Sequence, residues 1–322
     1  LSRARAVLQA LQEQLDGGMP FERFMQEALY NPDFGYYTKT IRTVGRAGDF
    51  STLATLGDSL ANFIAHWISQ HPIRDIIEIG PGNGALAEKV LKRLGWWRRL
   101  GRRYHLVDVD GPLRGEQDKR LRKFRIRRHP GMREALQATA GRALIFSNEL
   151  PDAFPCRVFE KTESGWKEVW VRFKNESVEE FLKEAPLPDT EAFQHPLPLG
   201  QRVEIHQSYR DWLQSWASEW RSGTLLTIDY GDTLPALYHR RPRGTLRGYA
   251  HHQTLEGASI YQAPGQIDLT ADVNFSDLEA WGKSLGWETL RHTPLDQLLP
   301  ADCHWQTREA AKAFRALEQK MG

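Results

Sequence analysis

The heptapeptide Glu78-Ile79-Gly80-Pro81-Gly82-Asn83-Gly84 is the stretch of this 322-residue chain whose residue types and spacing most directly suggest chemistry. Glycines at alternate positions let a backbone turn sharply and approach a ligand with no Cβ in the way. A carboxylate two residues ahead of the first glycine suits a ligand that carries an ammonium group. Asp108, 24 residues beyond Gly84, is spaced to accept hydrogen bonds from both hydroxyls of a ribose. The same turn tolerates a dinucleotide through Gly80, Gly82 and Ala85, because alanine can stand for the third glycine of that fingerprint. Glu78 argues the other way: it has no required role beside a pyrophosphate, and its charge would oppose one. The balance favours a sulfonium nucleoside that donates methyl groups.

Further polar groups follow other strand-like runs. Phe146-Ser147-Asn148-Glu149-Leu150-Pro151-Asp152-Ala153-Phe154 offers an amide carbonyl at Asn148 and carboxylates at Glu149 and Asp152. Asn148 and Asp152 have an alternative role as caps of turns or of the next helix. Asp229-Tyr230-Gly231 projects toward the same edge if the sheet is parallel there. Gly244-Thr245-Leu246-Arg247-Gly248-Tyr249 precedes His251-His252. His252 is a candidate general base or substrate contact. Adjacent histidines are more often surface residues, and no acid or cysteine stands at metal-ligand spacing, so no metal is expected. Asp49-Phe50, after Gly48, is placed either to fold over the cofactor or to cap a loop.

These groups need a scaffold. Residues 73–79 form a short apolar run ending in the glycine turn, and residues 85–94 are a helix beyond it. Residues 104–109, 143–146 and 224–228 are similar runs, and helix-compatible stretches separate the early ones. That rhythm predicts an α/β fold with a doubly wound, mostly parallel, Rossmann-like sheet. Ahead of it, residues 4–15 and 20–29 have helical apolar spacing. Asn31-Pro32-Asp33 breaks the second of these, Phe34-Gly35-Tyr36-Tyr37 continues as an extended aromatic segment, and another helix spans 57–69. Between 154 and 200 the rhythm fails: residues 157–160 and 166–173 flank Glu163-Ser164-Gly165 as a hairpin, followed by a proline-containing stretch. The expected organisation is an N-terminal helical segment with a cofactor-covering loop over 1–70, a core of 71–154 and 220–296, an inserted cap over 155–219, and a C-terminal helix over 297–322.

A formal net charge of +2 gives no ground for a nucleic-acid or membrane partner. The basic run 119–128 reads as a solvated helix end entering an exposed edge strand, with docking of an acidic partner as the alternative. Two cysteines, Cys156 and Cys303, stand far apart without metal spacing, which fits a reducing compartment and so the cytoplasm, or the mitochondrial matrix in a eukaryote. No apolar run approaches the roughly 20 residues that span a bilayer. The sequence begins at Leu1 with no signal peptide in view.

In their order along the chain, these motifs resemble the MidA-like family. The resemblance is carried by Phe24-Met25, Ala28-Leu29-Tyr30-Asn31-Pro32, Gly35-Tyr36-Tyr37, Gly48-Asp49-Phe50 and Thr52. It continues through Glu78 to Gly84, Asn148-Glu149-Leu150-Pro151-Asp152-Ala153, Asp229-Tyr230-Gly231 and Gly244-Thr245-Leu246-Arg247. It ends in Pro264-Gly265-Gln266-Ile267-Asp268-Leu269-Thr270-Ala271-Asp272-Val273-Asn274-Phe275. Asp108 stands where the family tends to carry glutamate, Asp272 and Asn274 replace an expected histidine and aspartate, and the segment after Thr52 lacks an expected proline. The family includes a mitochondrial complex I assembly factor that methylates a protein arginine. The resemblance implies a class I methyltransferase fold, S-adenosylmethionine as donor, and a protein arginine as acceptor, with a respiratory-complex subunit as one candidate. The cofactor residues would be Glu78, Gly80, Gly82, Gly84, Asp108 and Asn148. Glu149 and Asp152 would clamp the guanidinium, with Asp49 third and His252 lining the site. The alternatives are an inactive assembly chaperone that keeps the cofactor pocket, and a nicotinamide-dependent oxidoreductase.

Overall fold

The computed structural model describes residues 7, 11, 17–41, 57–109, 111–174, 177–250 and 253–321. The helix expected over 4–15 therefore lies outside the described residues, apart from Val7 and Leu11, which are helical and buried. Asp49, with its neighbours Gly48, Phe50 and Thr52, and the pair His251-His252 also lie outside them. The chain forms two compact units.

The first unit takes Arg42–Leu150, Trp212–Gly231 and Leu278–Gly322. Its strands in chain order are β1 (Asp75–Ile79), β2 (Arg103–Val107), β3 (Ile126–His129), β4 (Leu144–Asn148), β5 (Thr224–Asp232), β6 (Trp287–Pro294) and β7 (Phe314–Met321). Side by side they run β3-β2-β1-β4-β5-β7-β6. Neighbours among β1 to β5 pair in parallel, and β7 is antiparallel to both β5 and β6. Helices α1 (Ser59–Ser69), α2 (Ala85–Arg99), α3 (Arg114–Leu121) and α4 (Met132–Ala138) belong to the same unit. β1 is buried along its whole length, as expected of a central parallel strand rich in isoleucine. Leu60, Ile64, Trp67 and Ile68 of α1 pack with Val90 and Leu94 of α2 and with Leu144, Phe146, Leu226 and Ile228 of the sheet. Register places Ile79 beside both Val107 and Ser147, and Asn148 beside Ile228, so the carboxyl ends of β1, β2, β4 and β5 fall on one edge.

The basic run behaves as a helix end entering a peripheral strand: α3 ends at Leu121, and β3 lies at the margin of the sheet. The end of the chain corrects an expectation. Among the described residues of 297–322 only Trp305–Ala311 is α-helical, and Phe314–Met321 is a strand. Its composition suits a helix, but hydrogen-bond ladders on both sides and the burial of Ala316 and Leu317 override that preference.

The second unit takes Leu1–Ile41, Pro151–Asp211 and Asp232–Asp277. Residues 220–296 are thus not one continuous piece of the core, because the chain leaves the sheet unit after Gly231 and rejoins it at Leu278. The hairpin is present, with Arg157–Thr162 paired antiparallel to Gly165–Lys174. Met19–Pro20, Ser177–Lys183 and Arg202–Ile205 complete that antiparallel sheet. A helix spans Phe21–Tyr30 and buries Phe21, Phe24, Met25 and Leu29. The expected extended segment after it is instead wound: Tyr36–Thr40 is a π-helical turn. The Gly35 N–H donates to Asn31 O at 2.8 Å, and the Thr38 hydroxyl donates to the same oxygen at 2.6 Å, which coils the chain directly after the break. Arg247–Ala250 lies between Gln253–Leu255 and Asp268–Thr270 in a second small antiparallel sheet.

Candidate active site

The glycine turn joins β1 to α2. Gly80, Gly82 and Gly84 all have left-handed backbones, with φ of 64°, 54° and 79°. A Cβ added at Gly82 would meet nothing within 4 Å, so this face of the turn opens onto free space. Asn83 Oδ1 accepts from the Ala85 N–H at 3.2 Å and so satisfies a donor at the start of α2.

Glu78, one residue before the end of β1, is 2% exposed. The Tyr104 hydroxyl donates to its Oε2 at 2.6 Å. Burial pushes the Glu78 carboxyl up to about 7; the Tyr104 hydrogen bond opposes this, and the nearby Asp108 charge adds to it. A buried carboxyl of this kind gains most from a cationic partner. An ammonium group fits that requirement, and a pyrophosphate does not.

Asp108 follows β2 directly and is half-buried. Gln117, on α3, donates from Nε2 to Asp108 Oδ2 at 2.6 Å and to Gly82 O at 2.7 Å. Its Oε1 accepts from Arg128 at 2.5 Å, and Arg128 also donates to Asp118 at 2.7 Å. Burial raises the Asp108 carboxyl to about 6, while the Gln117 hydrogen bond, Arg128 and Arg114 favour its charged form. A cavity of about 280 Å³ lies here, lined by Leu106, Asp108, Arg114, Arg128, His129 and Pro130. Gln117 was not evident from the sequence, since a single amide in a charged helix has neither periodicity nor motif.

At the end of β4, Asn148 donates from Nδ2 to Glu149 Oε1 at 3.0 Å. A carboxylate only accepts, so the amide orientation is fixed and Asn148 Oδ1 points away, buried and without a hydrogen-bond partner. The buried hydroxyl of Ser147 also lacks a partner. Glu149 has a left-handed backbone, φ 54°, which a non-glycine residue adopts only when its surroundings hold it there. Those holds are visible: Glu149 N–H donates to Ile228 O at 3.0 Å, and Leu150 N–H donates to Asp229 Oδ2 at 3.1 Å. Asp229 also accepts from its neighbour, the Tyr230 N–H, at 2.7 Å. It is fully buried and acts here as a brace for the Glu149 turn.

Asp152 belongs to the second unit, in the short 3-10 turn Pro151–Ala153. The Thr270 hydroxyl donates to its Oδ2 at 2.9 Å, and burial raises its carboxyl above the usual range. The Gly244 to Arg247 motif serves a different carboxylate. Glu204, fully buried, accepts from the N–H of Thr245 at 2.9 Å, the Thr245 hydroxyl at 3.0 Å and the N–H of Leu246 at 3.3 Å. A Cβ at Gly244 would lie 1.9 Å from Glu204 Oε1, so only glycine fits. Asp272 pairs with Arg241 and Arg247. Among the described residues no group of three His, Cys, Asp or Glu could hold a metal ion, and no helix is long and apolar enough to cross a membrane.

The strand order 3-2-1-4-5-7-6, with an antiparallel seventh strand and polar groups at the carboxyl ends about the β1/β4 switch point, defines a class I methyltransferase fold. The chain belongs to the S-adenosyl-L-methionine-dependent methyltransferase family whose model matches residues 55–293. It is 26% identical over 296 residues to the protein arginine methyltransferase NDUFAF7, mitochondrial, of Danio rerio, covering 81% of this chain and 68% of that protein. To the Mus musculus protein of the same name it is 28% identical over 308 residues, covering 84% and 68%. Among solved structures it resembles a Burkholderia thailandensis protein crystallised with S-adenosyl-homocysteine, with a TM-score of 0.81 at 24% identity over 98% of this chain and 92% of that one. The donor is thus S-adenosyl-L-methionine, and the dinucleotide alternative falls away. The orphaned Asn148 carbonyl, the buried Glu78 carboxyl and the open space beyond Gly82 fit that nucleoside.

Proposed function

We propose that this methyltransferase acts on a side-chain nitrogen of a protein arginine, with Glu149 as the carboxylate that orients the guanidinium; Asp152, in the other unit, remains a candidate from sequence alone. One observation carries the reading: Glu149 is held in a strained backbone at the carboxyl edge of the sheet, braced by Asp229. Strain of this sort persists where it aims a working group. The names of the relatives supply the acceptor class, and a respiratory-complex subunit remains the candidate acceptor from the family resemblance.

S-adenosyl-L-methionine, when bound, supplies a methyl carbon made electrophilic by its sulfonium. Glu78 and Asn148 Oδ1 would receive the ammonium end, Asp108 the ribose hydroxyls, and Gly80, Gly82 and Gly84 would let the backbone come close. A guanidinium stays protonated at any pH below about 12, so Glu149 would align it rather than deprotonate it beforehand. A carboxylate can take two parallel N–H bonds from the guanidinium, which turns the remaining nitrogen toward the methyl carbon. The N–C bond would form as the C–S bond breaks with its electron pair left on sulfur, and one of the guanidinium N–H protons held by Glu149 would pass to that carboxylate. Asp49 and His252 remain candidates from sequence alone. Two free cysteines accord with action in the cytoplasm, or in the mitochondrial matrix in a eukaryote.

The test is transfer of a labelled methyl group into lysate proteins, located by mass spectrometry, with the wild type and Glu149→Gln. Label on arginine, lost in Glu149→Gln while S-adenosylhomocysteine still binds, supports the reading. Label on another acceptor, or full turnover by Glu149→Gln, overturns it. Cofactor binding with no transfer at all would mark the chain as an inactive chaperone.

A further inference from the structure

We propose that Gln117 is a positioning residue for the donor: its amide ties the glycine turn to Asp108, so that the carboxylate is aimed at the hydroxyls of a ribose. This rests on the sheet unit being the methyl-donor site.

Gln117 is 1% exposed, and its three hydrogen bonds reach three different segments: the turn after β1 through Gly82 O, the end of β2 through Asp108, and the marginal strand β3 through Arg128. The orientation of the amide is chemically forced. A guanidinium only donates, whereas a peptide oxygen and a carboxylate only accept, so Oε1 must face Arg128 and Nε2 must face the other two. Both amide hydrogens are used. The helix that carries Gln117 sits directly on the turn: a Cβ at Gly84 would lie 3.4 Å from Gln117 Cα and 3.4 Å from Leu121 Cδ1.

The amide also decides what Asp108 faces. Arg114 and Arg128 line the same cavity as Asp108, with His129 beside them. A guanidinium lying flat on the carboxylate would occupy two oxygen lone pairs in a fork. Gln117 instead takes one donor of Arg128 itself, and Asp118 takes another. Asp108 then accepts the neutral Gln117 N–H at Oδ2 and the backbone N–H of Val109, which together fix the carboxylate plane while leaving it acceptor capacity. Two adjacent hydroxyls at the right height need that arrangement. A purely structural amide would affect every ligand of the turn alike, whereas a positioning amide affects those that carry ribose hydroxyls.

Calorimetric binding of S-adenosylhomocysteine and of its 2′,3′-dideoxyribose analogue to wild type, Gln117→Met and Gln117→Glu separates the two. Gln117→Met keeps the length and bulk but has no N–H. It should bind S-adenosylhomocysteine about 10- to 100-fold more weakly, the range for one hydrogen bond to a charged group, yet bind the dideoxy analogue within about threefold of wild type. Gln117→Glu keeps an oxygen for Arg128 and sets a second carboxylate against Asp108; it should show the same selective loss, and it carries the comparison if Gln117→Met does not fold. Equal losses for both ligands, or no loss, overturn the inference while leaving the donor site intact. A wild type that binds neither ligand overturns the reading of the site itself.

Discussion

Glu78→Gln should make the ligand-free protein more stable and its cofactor binding worse. The Glu78 carboxyl is buried and raised from an ordinary 4.5 to about 7. At about 1.4 kcal/mol for each tenfold change, the charged form is disfavoured in the fold by about 3 kcal/mol. Below 4.5 the group is protonated whether folded or not, and it contributes nothing to the pH dependence. As pH rises from 4.5 to 7 the unfolded chain gives up this proton and the folded chain holds it, so stability falls through that window and the full deficit is present above it. Glutamine has no proton to lose and can still accept from Tyr104. Glu78→Gln should therefore match wild type in unfolding free energy near pH 4.5 and exceed it by up to about 3 kcal/mol at pH 8, read by denaturant or thermal unfolding at both values. S-adenosylhomocysteine needs the ionised carboxyl, so wild-type affinity should drop about tenfold between pH 8 and pH 6 relative to the variant. Asp108 titrates in both proteins and cancels in that ratio. At pH 8 the variant should bind about 10- to 100-fold more weakly. A variant that is less stable than wild type at pH 8, with unchanged affinity, would refute both the buried charge and its ammonium partner.

Three other substitutions separate backbone from ligand effects. Gly82→Asn keeps a residue that tolerates a left-handed backbone and places its side chain in open space, so unfolding should shift by about 1 kcal/mol or less while calorimetry finds S-adenosylhomocysteine binding weakened at least about 100-fold. Glu149→Gly relieves φ 54° and should leave stability unchanged or raise it by about 1 kcal/mol, but abolish methyl transfer in the labelling assay. Gly223→Ala sets a Cβ 1.8 Å from Ala143 O at φ 138°, against backbone that cannot swing aside; a loss of more than about 3 kcal/mol is expected in denaturant unfolding, and a wild-type midpoint would count against the packing described.

The strand, glycine turn and helix were legible because local rules and tertiary structure agree there. An isoleucine-rich strand, three glycines with left-handed backbones and a following helix need no distant partner to be recognised. The hairpin across Glu163-Ser164 was readable for the same reason. Asp229 was seen as a residue at the site edge, yet its carboxylate braces Leu150 and Tyr230, a role that only contact between β4 and β5 reveals. The Gly244 motif was visible as a pattern, but its purpose depends on Glu204, about 40 residues earlier in sequence. Phe34 to Tyr37 misled because aromatic residues favour strands on average, whereas Asn31 and Thr38 coil this segment locally. Phe314–Met321 misled because a helix-forming composition gave no hint of the two strands awaiting it.

The position of β7 governs how this protein can be made. It fills the space between β5 and β6, although it is the last of these strands in the sequence. During synthesis β5 must therefore wait, with one margin bare, until Phe314–Met321 has emerged and can pair with it. A partly made chain held at that stage would display the unpaired backbone amides that recruit chaperones or other nascent copies. A stop codon just before Phe314 would be expected to yield an aggregating product rather than a merely shorter enzyme.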